Sequence, residues 1–350
     1  MGDISFNGLI SEQPAENYMR FLQVKKSLVN DTLVFANLEF PVSVISDKID
    51  SHRFLHYSDR EVMKDLLARL NIGCVSLANN HISDYKIKGL EETIDLLDEL
   101  NISHTGAGWK PEHLQPVIIE KHRKKIGFVA YVDKGTNPEI IKGMQINLFD
   151  VNKVVEDIRL LKNKTDIIIC SLHWGNDYSN YFTLNQQKTA HKLIDKGADI
   201  IMGHHSHVIQ PYENYKGRHI FYSLGQLCFG DFMWEGNRRA LKRKTKRGMI
   251  ISFKDYELTG FEIIPTREKK GNYIYIPYHE NINKKVKQLY FINKLMLKYT
   301  SVYFLMHVKE TIFDRLKEFF TGYYRNPIKD LFEFKNIRKI RYLIRDYREK

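Results

Sequence analysis

Four short apolar runs in this chain each end in residues that bind metals or move protons. Thr32–Ala36 leads into Asn37-Leu38-Glu39, and Gly73–Ala78 leads into Asn79-Asn80-His81. Asp166–Leu172 leads into His173-Trp174-Gly175, and Asp199–Gly203 leads into His204-His205-Ser206-His207. In α/β proteins, ligands gather beyond the carboxyl ends of strands, where the connections open a crevice. A carboxylate, an amide and several imidazoles there form a mixed oxygen and nitrogen set suited to Zn, Mn or Fe. The chemistry this points to is a two-metal hydrolytic centre.

Each segment also has a plainer explanation. Glu39 has two oxygens and could hold two cations about 3.5–4 Å apart, but a lone Glu at a strand end is more often solvated or a helix cap. Asn79 and Asn80 could serve only as turn and capping residues, whereas the adjacent His81 carries an imidazole, the side chain most often used for proton transfer. His173 beside Trp174 could be a core pair. Three histidines in four positions after a buried strand are harder to explain by packing, and His205 and His207 could address two adjacent ions. His191 reads as structural, as do His52, His56, His104, His113 and His122.

These residues need a layered scaffold. From Asp31 to Pro265, apolar strands alternate with amphipathic helices. Ser58-Asp59 precedes a helical pattern at Val62, Leu66, Leu67 and Leu70. Lys88–Leu100 and Leu184–Lys196 repeat the period. Pro116–Ile119 and Ile126–Tyr131 read as a hairpin, and His219–Leu224 and Gly248–Phe253 add strands. The pattern fits two packed sheets flanked by helices. A basic loop is expected between Phe232 and Gly248, carrying Arg238, Arg239, Lys242, Arg243, Lys244, Lys246 and Arg247. From about residue 281 the pattern is helical and basic, so 1–280 and 281–350 are expected as a domain and an extension.

Charge sharpens that division. The chain carries +12, and residues 281–350 hold 17 Lys and Arg against 7 Asp and Glu, a net +10. The first 280 residues are therefore nearly balanced. Cys74, Cys170 and Cys228 are few and dispersed, which argues against a disulfide framework or zinc ribbon and for a reducing compartment. No apolar run approaches the roughly 18–20 residues that span a bilayer, and no basic-then-apolar leader opens the sequence. Cytoplasmic residence is expected, peripheral to the membrane if the extension meets lipid.

Taken together, the segments resemble the CapA-type capsule and poly-γ-glutamate biosynthesis family, a branch of the calcineurin-like metallophosphoesterase superfamily. The resemblance rests on Gly2-Asp3, Asn37-Leu38-Glu39, Ser76–His81 with Asp84-Tyr85, and His104–Gly108. It continues through Ser171–Gly175, Gly203–His207 and Tyr222–Gly225, in order across residues 1–265. It implies a four-layer αββα sandwich holding two divalent ions, whether Mn, Fe or Zn. Asp3 would bind the first ion, Glu39 would bridge, Asn80, His173 and His205 would hold the second, and His207 would return to the first. His81 would be the general acid or an electrostatic partner of the leaving oxygen. Where the superfamily often has Asp-x-His, Asp3 is followed by Ile4 and Ser5, leaving the first ion one ligand short. With so little chain before it, the strand carrying Asp3 is expected to be missing or reduced to a stub, either because the start lies further upstream or because the edge of the first sheet is incomplete. Gln226 stands where the family often has Asn.

The resemblance implies a metal-dependent phosphoesterase-type hydrolase acting in capsule or poly-γ-glutamate synthesis. A non-catalytic, metal-containing accessory subunit of a polymer synthase is the alternative, with the extension as its docking surface. A nuclease is a third reading, disfavoured by the neutral body. In the extension, Val286, Leu289, Ile292 and Leu295, then Phe304, Leu305, Val308, Ile312 and Leu316, recur at helical spacing. Lys284, Lys287, Lys294 and Lys298 fall between them. That pattern serves a membrane surface, a nucleic-acid patch or a docking arm for a polymer-synthase partner, or packing on the chain's own core.

Overall fold

The computed structural model describes residues 1–28, 32–44, 57–234, 237–239, 244–258, 260–268, 275–277 and 282–298. His52, His56, Lys242, Arg243 and the Phe304–Leu316 repeat lie outside the described residues.

The apolar runs become strands because their residues are buried on both faces. In Ile167–His173, Ile167 and Ile169 join one core with Phe128, Ala130, Ile200 and Met202. Ile168, Cys170 and Leu172 join another with Val129, Tyr131 and Ile201. This two-sided burial explains why the strand reads as a continuous hydrophobic run. It lies inside a six-stranded sheet ordered Tyr212–Tyr215, Arg218–Phe221, Ile200–His204, Ile167–His173, Lys124–Val132, Val117–Lys121. Its four inner strands are parallel, and the outer strand at each end is antiparallel. Val117–Lys121 and Lys124–Val132 form the hairpin expected from the sequence.

A second, wholly parallel sheet is ordered Gln226–Cys228, Asp3–Ile4, Val34–Leu38, Ile72–Ser76, Ser103–Thr105. The two sheets pack face to face around Ala36, Val75, Phe128 and Met202, with the Phe35 and Phe128 rings 5.4 Å apart. Helices Arg60–Arg69 and Lys86–Glu99 cover the five-stranded sheet through Leu66, Leu67, Leu90, Ile94 and Leu97. Helices Val151–Lys162 and Leu184–Lys196 cover the six-stranded sheet through Val154, Ile158, Ala190 and Leu193. The layers are thus αββα.

Local chemistry sets the helix ends. Asp59 accepts from the backbone N–H groups of Glu61 and Val62 at 2.9 and 3.1 Å, satisfying donors the first turn leaves open. Thr183 and Gln186 form a reciprocal capping box at the start of Leu184–Lys196.

Two expectations need correction. The Asp3–Ile4 strand is short, but it is not at a sheet edge: it lies between Val34–Leu38 and Gln226–Cys228, parallel to both. The chain returns from the other sheet to pair along its open side, so the missing edge is supplied from residues over 220 positions away. The stretch read as a basic loop begins as a hairpin, Phe232–Trp234 against Asn237–Arg239, and ends in Arg247–Phe253. That last strand belongs to a separate antiparallel sheet with Phe261–Glu268 and Tyr275–Pro277. The helix Ile282–Lys298 packs Val286, Tyr290 and Leu297 toward the body. Among the described residues, no helix is long and apolar enough to cross a membrane.

Candidate metal centre

Strand register places the functional side chains at one level. Asp3 is paired with Asn37 on one side and Gln226 on the other. In the facing sheet His173 is paired with His204. The carboxyl ends of both sheets therefore meet at a common rim, where the chain after each strand turns away. His205 and His207 are held there at φ 87° and 57°. Left-handed backbone is uncommon for residues with a Cβ and is kept only where surroundings enforce it.

Asn37 organises the floor. Its Nδ2 donates to Asp3 Oδ1 at 3.0 Å and to Glu39 Oε2 at 3.1 Å, and it lies 3.4 Å from His173 Nδ1. Asp3 Oδ1 also lies 2.6 Å from His204 Nδ1, and Asp3 Oδ2 accepts from the His205 backbone N–H at 3.3 Å. His173 Nε2 lies 2.7 Å from Asn80 Oδ1. The His173 and His205 rings are 4.8 Å apart. His207 faces both carboxylates, with Nδ1 3.7 Å from Asp3 Oδ2 and Nε2 3.6 Å from Glu39 Oε1. Gln226 Nε2 approaches His207 Nδ1 at 3.0 Å. Asp177 Oδ1 lies 3.1 Å from His205 Nε2.

At the rim, His81 Nδ1 lies 2.8 Å from the buried Asp84 carboxylate. The His81 ring packs 4.3 Å from Phe40. Phe229 continues that wall to His207, 5.4 Å away.

The electrostatics are those of buried like charges. Burial raises the Glu39 carboxyl well above its ordinary range, and Asp3 and Asp177 add to the effect. Burial also acts to raise Asp3, but His204 outweighs it, with His207 and Asn37 assisting, so that carboxyl lies below its ordinary range. The His173 imidazole is pushed well below its ordinary value by burial, then by His205 and the other histidines. The lowered His173 imidazole is held in the neutral form that metal binding requires, whereas Glu39 would have to give up its proton to an ion.

The donor set fits divalent ions. Glu39 is fully buried, and its Oε1 has no hydrogen-bond partner, although two imidazole nitrogens lie 3.6 and 4.0 Å away. A buried carboxylate oxygen left this way costs free energy unless a cation satisfies it. Ligand atoms of Asp3, Glu39 and His207 lie within 4.8 Å of one another, as do those of Asp177, His205 and His207. The two groups share His207, so the cluster offers two adjacent positions.

The structure thus brings Asp3, Glu39, Asn80, His173, His205 and His207 to one place and sets His81 beside them. Sequence reasoning did not assign Asn37, Asp84, Asp177, His204 or Gln226 to the centre. Asn37, His204 and Asp84 sat inside motifs that had been singled out. Asp177, four residues after His173, carried no signal of its own, because nothing local shows that its loop folds toward His205. His191 instead pairs with Glu213 at 3.0 Å and stacks on Tyr215, a structural role.

The fold is therefore an αββα sandwich with a mixed oxygen and nitrogen cluster at the rim where its two sheets meet. Residues 1–231 match the family described as Bacterial capsule synthesis protein PGA_cap, and the chain belongs to that family. The Capsule biosynthesis protein CapA of Bacillus anthracis is 27% identical over 264 residues, 72% of this chain and 62% of that protein. A protein of Mycobacterium tuberculosis named Probable polyglutamine synthesis accessory protein is 31% identical over 169 residues, 43% of this chain and 44% of that protein. The matches therefore span less than two thirds of those relatives' own lengths. Among solved structures, a phosphatase from Mycoplasma pneumoniae aligns with 64% of this chain and 69% of its own, at 15% identity and a TM-score of 0.42.

Proposed function

We propose that the chain is a metal-dependent hydrolase of the phosphoesterase type, acting in the synthesis of a capsule or poly-γ-glutamate polymer. The observation that carries this reading is Glu39 Oε1, buried, without a hydrogen-bond partner and faced by His207 and His173. Asp3, Glu39 and His207 would hold one divalent ion, and Glu39, Asn80, His173 and His205 the other. Ions bound there supply Lewis acidity to a phosphoryl oxygen and to the attacking water.

The remaining roles belong to the chain's own side chains. Asn37 fixes the two carboxylates through one shared donor. Gln226 orients the His207 ring from behind. His81, held by Asp84 Oδ2 and packed on Phe40, carries the proton delivered to the leaving oxygen. Phe40 and Phe229 keep water from one side of the rim.

The test is metal content by plasma mass spectrometry on protein purified without chelators, alongside turnover of bis(p-nitrophenyl) phosphate. Two transition-metal equivalents with turnover, and turnover lost in His81→Ala while the metal stays, is the expected result. Unchanged turnover in that variant would remove His81 from its role.

A second reading follows from the name of the Mycobacterium tuberculosis relative, an accessory protein of polymer synthesis. In this reading the chain binds metal but acts by docking on a polymer synthase through residues 281–350. Phe291, Ile292 and Leu295 are exposed on the C-terminal helix. Co-purification with a synthase that disappears when 281–350 is removed, with no turnover on any phosphoester, would favour it.

A further inference from the structure

The loop that follows His173 is held at both ends. At one end is the strand that delivers His173; at the other is Phe182, fully buried and stacked 3.7 Å from Tyr222. Between them the loop carries Asp177 to His205 Nε2 at 3.1 Å and Tyr178 to 5.8 Å from the His207 ring. The Phe182 end is gripped by a residue 111 positions away. Asn293, buried on the Ile282–Lys298 helix, accepts from the Phe182 backbone N–H at 2.9 Å and donates to the Phe182 carbonyl at 3.2 Å. Both backbone groups of a single residue are thus bound by one amide. One turn earlier, Tyr290 donates to Glu213 at 3.2 Å. That carboxylate also accepts from Tyr222, the residue under the Phe182 ring, at 2.6 Å.

This helix lies beyond the residues that match the family, 1–231. Its polar contacts nevertheless converge on the segment that enters the metal centre. Nearer Asp177 the loop is also held by the Tyr178 N–H on the Ser206 carbonyl at 2.7 Å and by Gln210 Nε2 on the Ser179 and Tyr181 carbonyls at 2.9 and 3.2 Å. The Asn293 amide thus sets the far end of a loop whose near end carries Asp177 to His205.

We infer that Asp177 is a carboxylate of the second ion position and that Asn293 is a positioning residue for it, so that the C-terminal helix tunes metal affinity. The inference rests on the metal centre proposed above. The loop ligand is set by an element outside the catalytic sandwich, and whatever moves that helix changes occupancy at one position rather than both. Groups that orient a ligand typically change metal affinity by about 10–100-fold when removed.

The experiment is titration of the metal-free full chain with Mn2+ alone, following free Mn2+ by electron paramagnetic resonance, with thermal unfolding in chelator as a parallel measurement. Asp177→Asn is expected to weaken one of two equivalents by about tenfold or more and leave the other. Asn293→Ala is expected to weaken the same equivalent, and Asn293→Asp, which keeps the acceptor for Phe182 N–H, to lie between it and wild type. The double variant Asp177→Asn with Asn293→Ala should be no weaker than Asp177→Asn alone, because both changes act through one group. Phe291→Ser, on the exposed face of the same helix, serves as the control and should match wild type. Two equivalents unaffected by Asp177→Asn would overturn this inference and leave the proposed function standing. Equal loss at both positions in Asn293→Ala, or additive losses in the double variant, would overturn the positioning role. A wild-type chain that binds none of Mn2+, Zn2+ and Fe2+ would overturn both readings.

Discussion

Removal of one charge from the centre should make the metal-free protein more stable and the metal-treated protein no better. The change is Glu39→Gln. Glu39 and Asp3 are fully buried and accept from the same Asn37 Nδ2, at 3.0 and 3.1 Å, so the bonded oxygens cannot be farther apart than the sum of those distances. Their ligand oxygens lie within 4.8 Å of each other, and at that separation and an effective dielectric of about 20 two like charges repel by roughly 3 kcal/mol or more once both are ionised. The neutral amide keeps the shape and removes that repulsion. In a chain this long, each kcal/mol moves the melting temperature by roughly 2 °C. Glu39→Gln should therefore melt several degrees above wild type in chelator near pH 8. Excess Mn2+ at about 100 times its Kd would add about 2.7 kcal/mol to wild type and little to the variant, so the order of the two proteins should invert or close.

The pH dependence carries a further signature of the same group. The folded-state value of Glu39 is raised, so the folded chain keeps a proton that the unfolded chain has released. That stabilisation is complete below the ordinary value of 4.5 and is lost as pH rises through the folded-state value. The gain of Glu39→Gln over wild type in chelator should accordingly be small near pH 4.5 and grow toward pH 8. His173, lowered below its ordinary 6.5, acts in the opposite sense by losing stability as pH falls, which is why the difference between the two proteins is the quantity to follow. If Glu39→Gln melts below wild type in chelator at pH 8, or gains as much from Mn2+ as wild type does, the assignment of Glu39 as an unsatisfied buried ligand is wrong.

Other substitutions probe the remaining parts. His81→Ala should lower turnover by about 10²–10⁴ with metal content unchanged, and Asp84→Asn, which leaves His81 in place, should cause a smaller fall; equal falls would show that Asp84 does more than orient the ring. Asn37→Ala removes the donor shared by two buried carboxylates and should destabilise the metal-free chain by roughly 1–3 kcal/mol, with part of the loss restored by Mn2+, as read by thermal melts in chelator and in metal. A Cβ at Gly203 would stand 2.0 Å from the Tyr222 carbonyl oxygen, so Gly203→Ala should force the strands under His204 and His205 apart and lower the yield of folded protein, visible by circular dichroism. Thr183→Ala opens the capping box of Leu184–Lys196 and should cost about 1 kcal/mol without changing metal content.

The scaffold was largely legible because its strands advertise themselves. A two-sided buried strand reads as an apolar run, and a helix on its flank reads as a period of 3.6, so Ile167–His173 and Leu184–Lys196 could be placed from sequence. Pairing was less accessible. Nothing near Asp3 announces that Gln226–Cys228 will lie beside it, because that contact is made by the chain's return from the other sheet. The same limit applies to the site. Ligands at strand ends inherit a local signal, but Asp177 is placed by a loop and Asn293 by a docked helix. His204 shows a subtler case: it sits in the most conspicuous motif, yet its distinction from His205 is backbone geometry, with the Nδ1 of one near Asp3 Oδ1 and the N–H of the other directed at Oδ2.

The centre is also a joint between two sheets. Asp3, Asn37, Glu39 and Asn80 come from the ends of the five-stranded sheet, and His173, His204, His205 and His207 from the six-stranded one. The sheets are tied at this rim by His204 to Asp3, Asn80 to His173 and the longer approaches of His207. An ion bridging the same groups would bind only when the sheets are in register, so its binding free energy is stabilisation of their packing. Hydrogen exchange should therefore show protection on Mn2+ binding that spreads into Val34–Leu38 and Ile200–His204 together. Protection confined to one sheet would mean that the ion is held from one side, and the shared-rim account of the site would have to be abandoned.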